Sequence, residues 1–257
     1  MPAKTHLFPC LQDNYGVLLH DPASGSTAAI DAPEAAAVEA ALTATGWKLT
    51  DILVTHHHND HTAGIPELKR RYGCRVVAPR QEAARIADVD VTVGEGDMVS
   101  VGQVAGRVID TPGHTAGHIS YWFNSEKVAF VGDTLFSIGC GRLLEGTPEM
   151  MWQSLLKLRD LPGETQIYCG HEYTAANVAF ARSVDPDNRA LIARAEEVAA
   201  LRAEGKPTIP ATIAAEKAAN PFLRADVPGF AAALGLSGAP PASVFAKLRA
   251  AKDSFRG

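Results

Sequence analysis

The feature that most constrains the fold of this chain is the run at residues 55–64, Thr-His-His-His-Asn-Asp-His-Thr-Ala-Gly. A half-buried strand is predicted over residues 51–55, where the run begins. Side chains two apart on a strand point to the same face, so His56 and His58 are expected to point together and His57 to point away. Histidines grouped in this way predict a metal site, and the fold has to be built around that strand end.

The second half of the same run adds a carboxylate and another imidazole. Asp60 and His61 are expected on a turn before a helix over residues 62–72. Imidazole nitrogens and carboxylate oxygens at this density suit a first-row divalent metal, and two unlike groups of ligands suggest two ions.

Further polar clusters follow later strands of the predicted sheets. They contain His114 after a strand at residues 107–110, Asp133 after one at 127–131, and His171 after one at 166–169. In layered sheet folds, loops at strand ends are where distant segments converge on a site. Each residue taken alone is better explained as a cap, a turn residue or a packed side chain. Their recurrence beside the histidine run makes them ligand candidates.

Other polar residues near these clusters are expected to support the ligands. His57 is predicted to make an orienting hydrogen bond rather than to bind metal. His118, four residues past His114, is interpreted as a packing or orienting residue, with ligation as the alternative. Asp31 is predicted either to orient a ligand or to cap a helix that begins at Glu34.

The rest of the chain predicts sheets covered by helices, followed by a helical domain. Additional strands are predicted at residues 27–31, 75–78 and 119–123, and helices at 34–45 and 148–159. After about Tyr173, alanine-rich stretches separated by prolines predict helices at 188–204, 211–219 and 242–251.

Composition excludes several classes of protein. At 257 residues with 46% hydrophobic residues, the chain can bury a sizeable core, and its net charge of −5 gives no basic footprint for nucleic acid. It has no apolar run long enough to cross a bilayer and no secretory signal pattern. The cysteines stand singly, without a C-x-x-C motif, at Cys10, Cys74, Cys140 and Cys169. We therefore expect a cytoplasmic monomer with reduced thiols and no nucleic-acid or membrane partner.

These residues together resemble the metallo-β-lactamase superfamily, whose signature T-H-x-H-x-D-H is present at residues 55–61. Within it, the chain resembles the glyoxalase II (hydroxyacylglutathione hydrolase) family. The resemblance rests on segments spread over nearly the whole chain, at residues 13–15, 55–64, 111–118, 132–136, 139–141, 170–174, 220–224 and 252–255. The G-H-E-Y-T segment and the K-D-x-F ending are the most particular to that family.

The resemblance implies a fold of class α/β (α+β), an αββα metallo-β-lactamase sandwich followed by an all-helical C-terminal domain. The dinuclear metal domain would cover residues 1–172, and a helical domain that contributes to glutathione binding would cover 173–257.

The resemblance also implies two divalent metal ions per chain. The first would be held by His56, His58 and His114, and the second by Asp60, His61 and His171, with Asp133 bridging them. Zinc is the expected metal, with iron or manganese as alternatives, because nitrogen and oxygen ligands without cysteine suit all three.

The implied reaction is hydrolysis of the thioester S-D-lactoylglutathione, or a related 2-hydroxyacyl glutathione, to glutathione and the hydroxy acid, D-lactate. This is the second step of methylglyoxal detoxification. Paired metal ions generate hydroxide near neutral pH and stabilise the oxyanion, and Asp60 and Asp133 are the predicted catalytic residues because they hold that hydroxide between the ions. A thiolate, with a thiol pKa of about 8.5, leaves without a strong acid beside it.

Substrate contacts are also carried over from the resemblance, to Arg142, Leu144, Tyr173, Arg249 and Lys252. Arg249 and Lys252 lie three apart on one helix face and would bind the glycine carboxylate of glutathione; on spacing alone, a solvated helix end is the better interpretation. Leu143 and Leu144 stand where many members have an aromatic residue, and Arg142 where some have lysine, so the thiol specificity is open.

Three alternative functions are considered. A persulfide dioxygenase of the same superfamily would hold a single iron, and the complete second ligand set argues against it. A metal-dependent phosphodiesterase or nuclease would need a basic track for phosphates, which the acidic balance disfavours. A non-enzymatic metal-binding module ranks last, because nothing in the ligand set looks degenerate.

Overall fold

The computed structural model describes residues 1–256 and divides into two compact units. The first unit contains residues 1–110 and 115–132, and the second contains residues 111–114 and the chain from Asp133 onward. The predicted boundary between a metal domain at 1–172 and a helical domain at 173–257 stays a prediction, and Gly257 lies outside the described residues.

The first unit carries strands β1 to β10 and helices α1 to α3. The strands are β1 Lys4–Cys10, β2 Asn14–His20, β3 Thr27–Ile30, β4 Asp51–Leu53, β5 Arg75–Pro79, β6 Val91–Val93, β7 Met98–Val101, β8 Val104–Asp110, β9 Ile119–Phe123 and β10 Val128–Gly132. The helices are α1 Ala35–Thr45, α2 Asn59–Thr62 and α3 Ile65–Tyr72, with short 3₁₀ segments at Ala83–Arg85 and Asn124–Glu126.

These strands form two groups. One runs in the order β1-β2-β3-β4-β5-β6, antiparallel as far as β3 and parallel from β3 to β6. The other joins β7, β8, β9 and β10 as antiparallel neighbours. Strands β3 and β4 are buried along their whole length, as is usual for parallel strands covered on both faces.

The core of the first unit lies between helices α1 and α3 and the first group of strands. Val38 of α1 and Leu68 of α3 are fully buried in one cluster with Ile52 of β4. Helix α1 ends at Gly46, whose φ of 72° is the left-handed cap that glycine adopts without strain. Tyr121 of β9 donates a 2.7 Å hydrogen bond to the Val54 carbonyl, which fixes the chain where it leaves β4.

The second unit carries strands β11 to β14 and helices α4 to α9. The strands are β11 Leu135–Phe136, β12 Gly139–Cys140, β13 Gln166–Cys169 and β14 Ala211–Thr212. The helices are α4 Pro148–Arg159, α5 Thr174–Val184, α6 Arg189–Ala203, α7 Ile213–Ala219, α8 Pro228–Ala233 and α9 Pro241–Ser254, with a 3₁₀ segment at Pro221–Leu223. Strands β11 and β12 form a hairpin, and β13 pairs with β14.

Several elements differ from the sequence predictions. Strand β4 ends at Leu53, two residues before the predicted end, and Asp60 and His61 lie inside helix α2 rather than on a turn before a helix. The predicted helix at 62–72 is interrupted between Thr62 and Ile65, because Pro66 has no amide proton to continue the helical hydrogen bonds. Gly64 in this interruption packs against the start of α1, where a Cβ would come within 2.7 Å of the Ala35 nitrogen. The sequence did not predict strands β1, β2, β6, β7, β11, β12 and β14 or helices α5 and α8, and β14 lies where a helix over 211–219 was predicted to begin.

Within residues 1–256, no helix is both long enough and apolar enough to cross a membrane.

Candidate metal centre

The histidine run of the first unit lies between β4 and α2. The Nε2 of His56 lies 3.1 Å from the Nδ1 of His58, so these two ring nitrogens are close enough to face one cation. The other nitrogen of His56, Nδ1, lies 3.0 Å from the Thr55 hydroxyl. That hydroxyl donates to Asp31, so it accepts the Nδ1 proton of His56 and leaves Nε2 with its lone pair. The rings of residues 56 and 58 do lie together, but β4 ends at Leu53, so strand alternation is not the reason.

Asp60 and His61 supply the next pair of donor atoms in the same unit. The Nε2 of His61 lies 3.7 Å from an oxygen of Asp60, and the Nδ1 of His61 lies 2.8 Å from an oxygen of Asp31. An ionised carboxylate only accepts, so Nδ1 carries the ring proton and Nε2 presents a lone pair. Asn14 holds Asp60 by donating 3.1 Å hydrogen bonds to its side chain and its carbonyl.

Asp31 orients two of these ligands. It has a φ of 58°, in the left-handed region that aspartate enters more readily than most residues. From there its carboxylate accepts from the Thr55 amide at 2.7 Å and the Thr55 hydroxyl at 2.9 Å, as well as from His61. The structure therefore favours the orienting role that the sequence left open, and the residue at the start of α1 is Glu34.

His57 and His118 both lie close to the predicted ligand loop. The carboxylate of Glu82 accepts from both the amide and the Nδ1 of His57, each at 2.7 Å, which is the hydrogen bond predicted for His57. Its second oxygen accepts from the Gly117 amide at 2.8 Å. His118 is buried and stacks on His56, with ring centroids 4.9 Å apart.

The second unit holds a separate group of donors around Asp133. One oxygen of Asp133 lies 3.5 Å from the Nε2 of His114 and 3.3 Å from the Nε2 of His171. The Nδ1 of His114 donates a 2.9 Å hydrogen bond to the Arg142 carbonyl, so its Nε2 is again the nitrogen with a lone pair. The unit thus brings together three of the predicted ligands, all of them buried.

Two glycines let the backbone place these donors. Gly113 has a φ of 149°, and a Cβ there would come within 2.8 Å of the Met151 side chain, so His114 is held close against α4. A Cβ on Gly141 would come within 1.9 Å of the Asp133 carbonyl oxygen. Any other residue at position 141 would displace the main chain that carries Asp133.

Aromatic rings fix the orientation of His171. Its ring stacks on Tyr173 at 4.7 Å and 2° between planes, and Phe136 packs edge-on against Tyr173 at 5.4 Å. Glu172, between the two stacked residues, accepts from the Thr208 amide and hydroxyl and so anchors this segment. His171 and Tyr173 are therefore positioned as one group.

Each unit presents imidazole nitrogens and carboxylate oxygens as donors, and this chemistry fits a first-row divalent metal. The second ring nitrogen of His56, His61 and His114 is hydrogen-bonded in the way that metal-binding histidines require. The prediction of divalent metal binding is therefore supported by the donor atoms themselves.

A cavity of about 420 Å³ opens beside His114 and Asp133 in the second unit. Its described lining includes Arg142, Tyr173, Arg249 and Lys252, which are four of the predicted substrate residues. Leu144, the fifth, is 59% exposed and is not among the residues that line it.

Arg249 and Lys252 both come from α9 but differ in their surroundings. Arg249 is buried, and its guanidinium donates to the Asp253 carboxylate at 2.9 Å and to the Cys140 carbonyl at 2.8 Å. Lys252 donates to the Ala176 carbonyl, and burial together with the nearby Arg249 and Arg142 charges lowers the pKa of its ammonium. Arg249 therefore ties α9 to the cavity wall, and Lys252 carries a charge that is incompletely compensated.

The cavity and the ligand supports also contain residues that the sequence did not point to. They are Asn14, Glu82, Phe136, Asn177 and Arg256. Asn14 lies in the segment 13–15, which is part of the family resemblance, and only this resemblance could have pointed to it. Glu82 stands outside every motif, and its role depends on the packing of segments distant in sequence.

Comparison with known proteins identifies the family. The family model "Metallo-beta-lactamase superfamily" matches residues 11–171, and the model "Hydroxyacylglutathione hydrolase C-terminus" matches residues 172–255. A hydroxyacylglutathione hydrolase of Rhodopseudomonas palustris is 61% identical over 254 residues, covering 99% of this chain and 100% of the relative. The chain belongs to the hydroxyacylglutathione hydrolase family. A Nitrobacter hamburgensis hydroxyacylglutathione hydrolase is 62% identical over 98% of this chain and 99% of its own length.

Solved structures agree with this family's fold. ETHE1 from Myxococcus xanthus matches with a TM-score of 0.69 and 26% identity, over 97% of this chain and 90% of that protein. A protein described as TTHA1623 in a di-iron-bound form matches with a TM-score of 0.55 and 27% identity, over 66% of this chain and 91% of that protein.

The predicted family, enzyme class and fold class are confirmed. The protein has the mixed α/β metallo-β-lactamase fold with the C-terminal helical segment of hydroxyacylglutathione hydrolases. The roles of the individual site residues stay predictions.

Proposed function

We propose that this protein hydrolyses 2-hydroxyacyl glutathione thioesters, S-D-lactoylglutathione foremost, to glutathione and the 2-hydroxy acid. The observation that carries the proposal is the identity of about 60% over nearly the full length of relatives named hydroxyacylglutathione hydrolase. Membership extends through the helical segment that is specific to this family, from residue 172 to residue 255.

The proposal includes two divalent ions, with zinc expected and iron or manganese as alternatives. One ion would be held by His56, His58 and His114, and the other by Asp60, His61 and His171, with Asp133 shared. The donor atoms that each unit presents support this assignment, as does the similarity to a protein solved in a di-iron-bound form. When bound, such ions supply a nucleophile at neutral pH and stabilise negative charge on the thioester oxygen.

Neighbouring residues of the chain keep the metal-facing ring nitrogens of the histidines free of a proton. Asp31 keeps the proton of His61 on Nδ1, and the Arg142 carbonyl does the same for His114. The Cys140 thiol on the cavity wall is a poor nucleophile, because burial raises its pKa to about 11. Asp60 and Asp133 would hold the attacking water.

Glutathione carries two carboxylates, and cations on the cavity wall suit them. Arg142, Lys252 and Arg256 line the cavity, and Tyr173 offers a ring and a hydroxyl beside His171. The guanidinium of Arg249 already donates hydrogen bonds to the Asp253 carboxylate and the Cys140 carbonyl. We therefore assign the principal contact with a glutathione carboxylate to Lys252.

Replacing Lys252 by methionine is expected to raise KM about tenfold with little change in kcat, because a hydrogen bond to a charged group contributes about 1.5–3 kcal/mol. Methionine keeps nearly the length of the side chain but removes the ammonium, which lies 5.7 Å from the Phe180 ring centroid and 5.8 Å from that of Phe255. Lys247→Met, an exposed position on the same helix, is the matched control. Steady-state kinetics with S-D-lactoylglutathione measure both, and an unchanged KM in Lys252→Met would remove Lys252 from the substrate site.

The direct test of function combines metal analysis with a thioester assay on the purified protein. We expect about two ions per chain and loss of the thioester's ultraviolet absorbance on mixing with S-D-lactoylglutathione. An unchanged absorbance with metal-replete protein would refute the proposal. Oxygen consumption with glutathione persulfide would instead support the oxidoreductase alternative, which the hydrolase names of the full-length relatives make the weaker one.

We further propose that the enzyme works as a cytoplasmic monomer on a small-molecule substrate, without nucleic-acid or membrane partners. The net charge of −5 and the buried, free cysteines support this. Light scattering coupled to size exclusion would test the oligomeric state.

A further inference from the structure

The turn between β11 and β12 carries one wall of the cavity. Phe136 enters this turn and Cys140 leaves it, and both line the cavity. Phe136 packs edge-on against Tyr173, and the Cys140 carbonyl accepts from Arg249. Ile138, at the tip, has a φ of 56°, which a β-branched residue rarely adopts. The conformation of this turn therefore has to be held by contacts outside it.

The contacts come from a buried carboxylate on α7. Glu216 is 1% exposed, and its two oxygens accept from the Ser137 hydroxyl at 2.9 Å and the Ile138 amide at 2.8 Å. Burial raises the pKa of Glu216. The nearby charge of Arg194 opposes that shift, and Arg194 donates to the same Ser137 hydroxyl at 3.2 Å.

Two asparagine side chains make further hydrogen bonds to the turn. The amide of Asn220 donates to Glu216 at 2.9 Å and to the carbonyls of Phe136 and Gly139 at 3.2 and 3.0 Å. Asn177 of α5 donates to the Ser137 carbonyl at 3.1 Å. The Ile138 amide and the carbonyls of residues 136, 137 and 139 are thus all hydrogen-bonded to side chains from outside the turn.

We infer that Glu216 is a positioning residue for substrate binding, acting through the β11–β12 turn on Phe136 and the Cys140 carbonyl. This inference rests on the proposed function, because it concerns the same cavity. Removing a carboxylate from water costs free energy. For Glu216 this cost is offset by three hydrogen-bond donors: the Ser137 hydroxyl, the Ile138 amide and the Asn220 side chain. Removing it leaves the Ile138 amide without its acceptor, so the turn relaxes and the cavity wall moves.

The test measures binding of S-methylglutathione, a thioether that cannot be hydrolysed, by calorimetry on the metal-replete full-length protein. Glu216→Ala is expected to raise Kd about tenfold, or about 1.4 kcal/mol. Glu216→Gln is expected to bind within about twofold of the unmodified protein, since its amide oxygen can accept from Ile138 and Asn220 while its NH₂ donates to the Ser137 hydroxyl. Ser137→Ala, a smaller change, is expected to raise Kd about threefold, and remains informative if Glu216→Ala does not fold.

Asp226→Ala is the matched control for stability. It removes a carboxylate that accepts two 2.8 Å hydrogen bonds from Arg159 in the same unit, away from the turn. It is expected to lower Tm without changing Kd. Equal weakening of binding in Asp226→Ala and Glu216→Ala, or unchanged binding in both Glu216→Ala and Ser137→Ala, would overturn the inference. If the unmodified protein bound no S-methylglutathione at all, the proposed function would fail instead.

Discussion

Replacing Asp133 by asparagine is expected to lower kcat/KM for S-D-lactoylglutathione about a thousandfold and to reduce the metal content of the protein. One oxygen of Asp133 lies within 3.5 Å of the Nε2 atoms of both His114 and His171. Asparagine has nearly the same shape but is neutral, so the donor cluster loses its negative charge. Metal-ion stabilisation of developing charge contributes several kcal/mol, and about 4 kcal/mol corresponds to a thousandfold in rate.

The measurement pairs steady-state kinetics with metal analysis of protein purified in parallel. Asp160→Asn, an exposed carboxylate at the end of α4, is the control and should leave both quantities unchanged. Because Asp133 is buried and the substitution is isosteric, Tm of the metal-free protein should change little. Full activity in Asp133→Asn would contradict the proposed ligand role.

Replacing Asp31 by asparagine is expected to weaken metal binding about 10- to 100-fold, the usual effect of removing the group that orients a histidine ligand. In the unmodified protein, the Asp31 carboxylate accepts a 2.8 Å hydrogen bond from the Nδ1 of His61. An amide NH₂ in that place would favour the other tautomer, with the proton on Nε2, and that nitrogen could then not bind a cation. Asparagine tolerates the φ of 58° at this position, so the backbone is expected to stay as it is.

Competition with a chromophoric chelator measures this affinity, and nitrogen chemical shifts of the His61 ring report the tautomer directly. Asp51→Asn is the matched control in the same unit. Asp51 is also a buried carboxylate, and it accepts from Thr50 and Arg75 at 2.7 Å, so its replacement should lower Tm but leave metal affinity intact. An Asp31→Asn protein with unchanged metal affinity and unchanged His61 tautomer would refute the orienting role.

The sequence could predict which donor residues lie close together, because they follow strands whose apolar patterns are clear. The strand at 166–169 and the helix at 148–159 have the predicted bounds, and the first of these leads directly to His171. Strand β1 was missed because it contains Pro9 and buries only Phe8 and Cys10, and β2 because Asn14–His20 is buried on both faces and shows no alternation.

The supporting residues were harder to predict because their partners are remote. Ser137 and Glu216 are 79 residues apart, and a glutamate in an alanine-rich helix is typical of a solvated face. Nothing local distinguishes Glu216 from Glu196 or Glu197. Arg249 shows the converse. Its helical spacing with Lys252 suggested one shared face, yet Arg249 is buried with structural partners, while the charge of Lys252 is incompletely compensated.

Gene fusions that exchange the C-terminal segment at the junction of the two family models, between residues 171 and 172, would cut through the second compact unit. Ile138, before the junction, is packed with Val178, Ala181, Leu191, Val198 and Ala219, all of which come after it. In a recombinant hybrid with the helical segment of another protein, the β11–β12 hairpin would pack against side chains that differ from its own partners. We therefore expect an exchange of thiol specificity between members of this family to need residues 111–114 together with the chain from Asp133 onward.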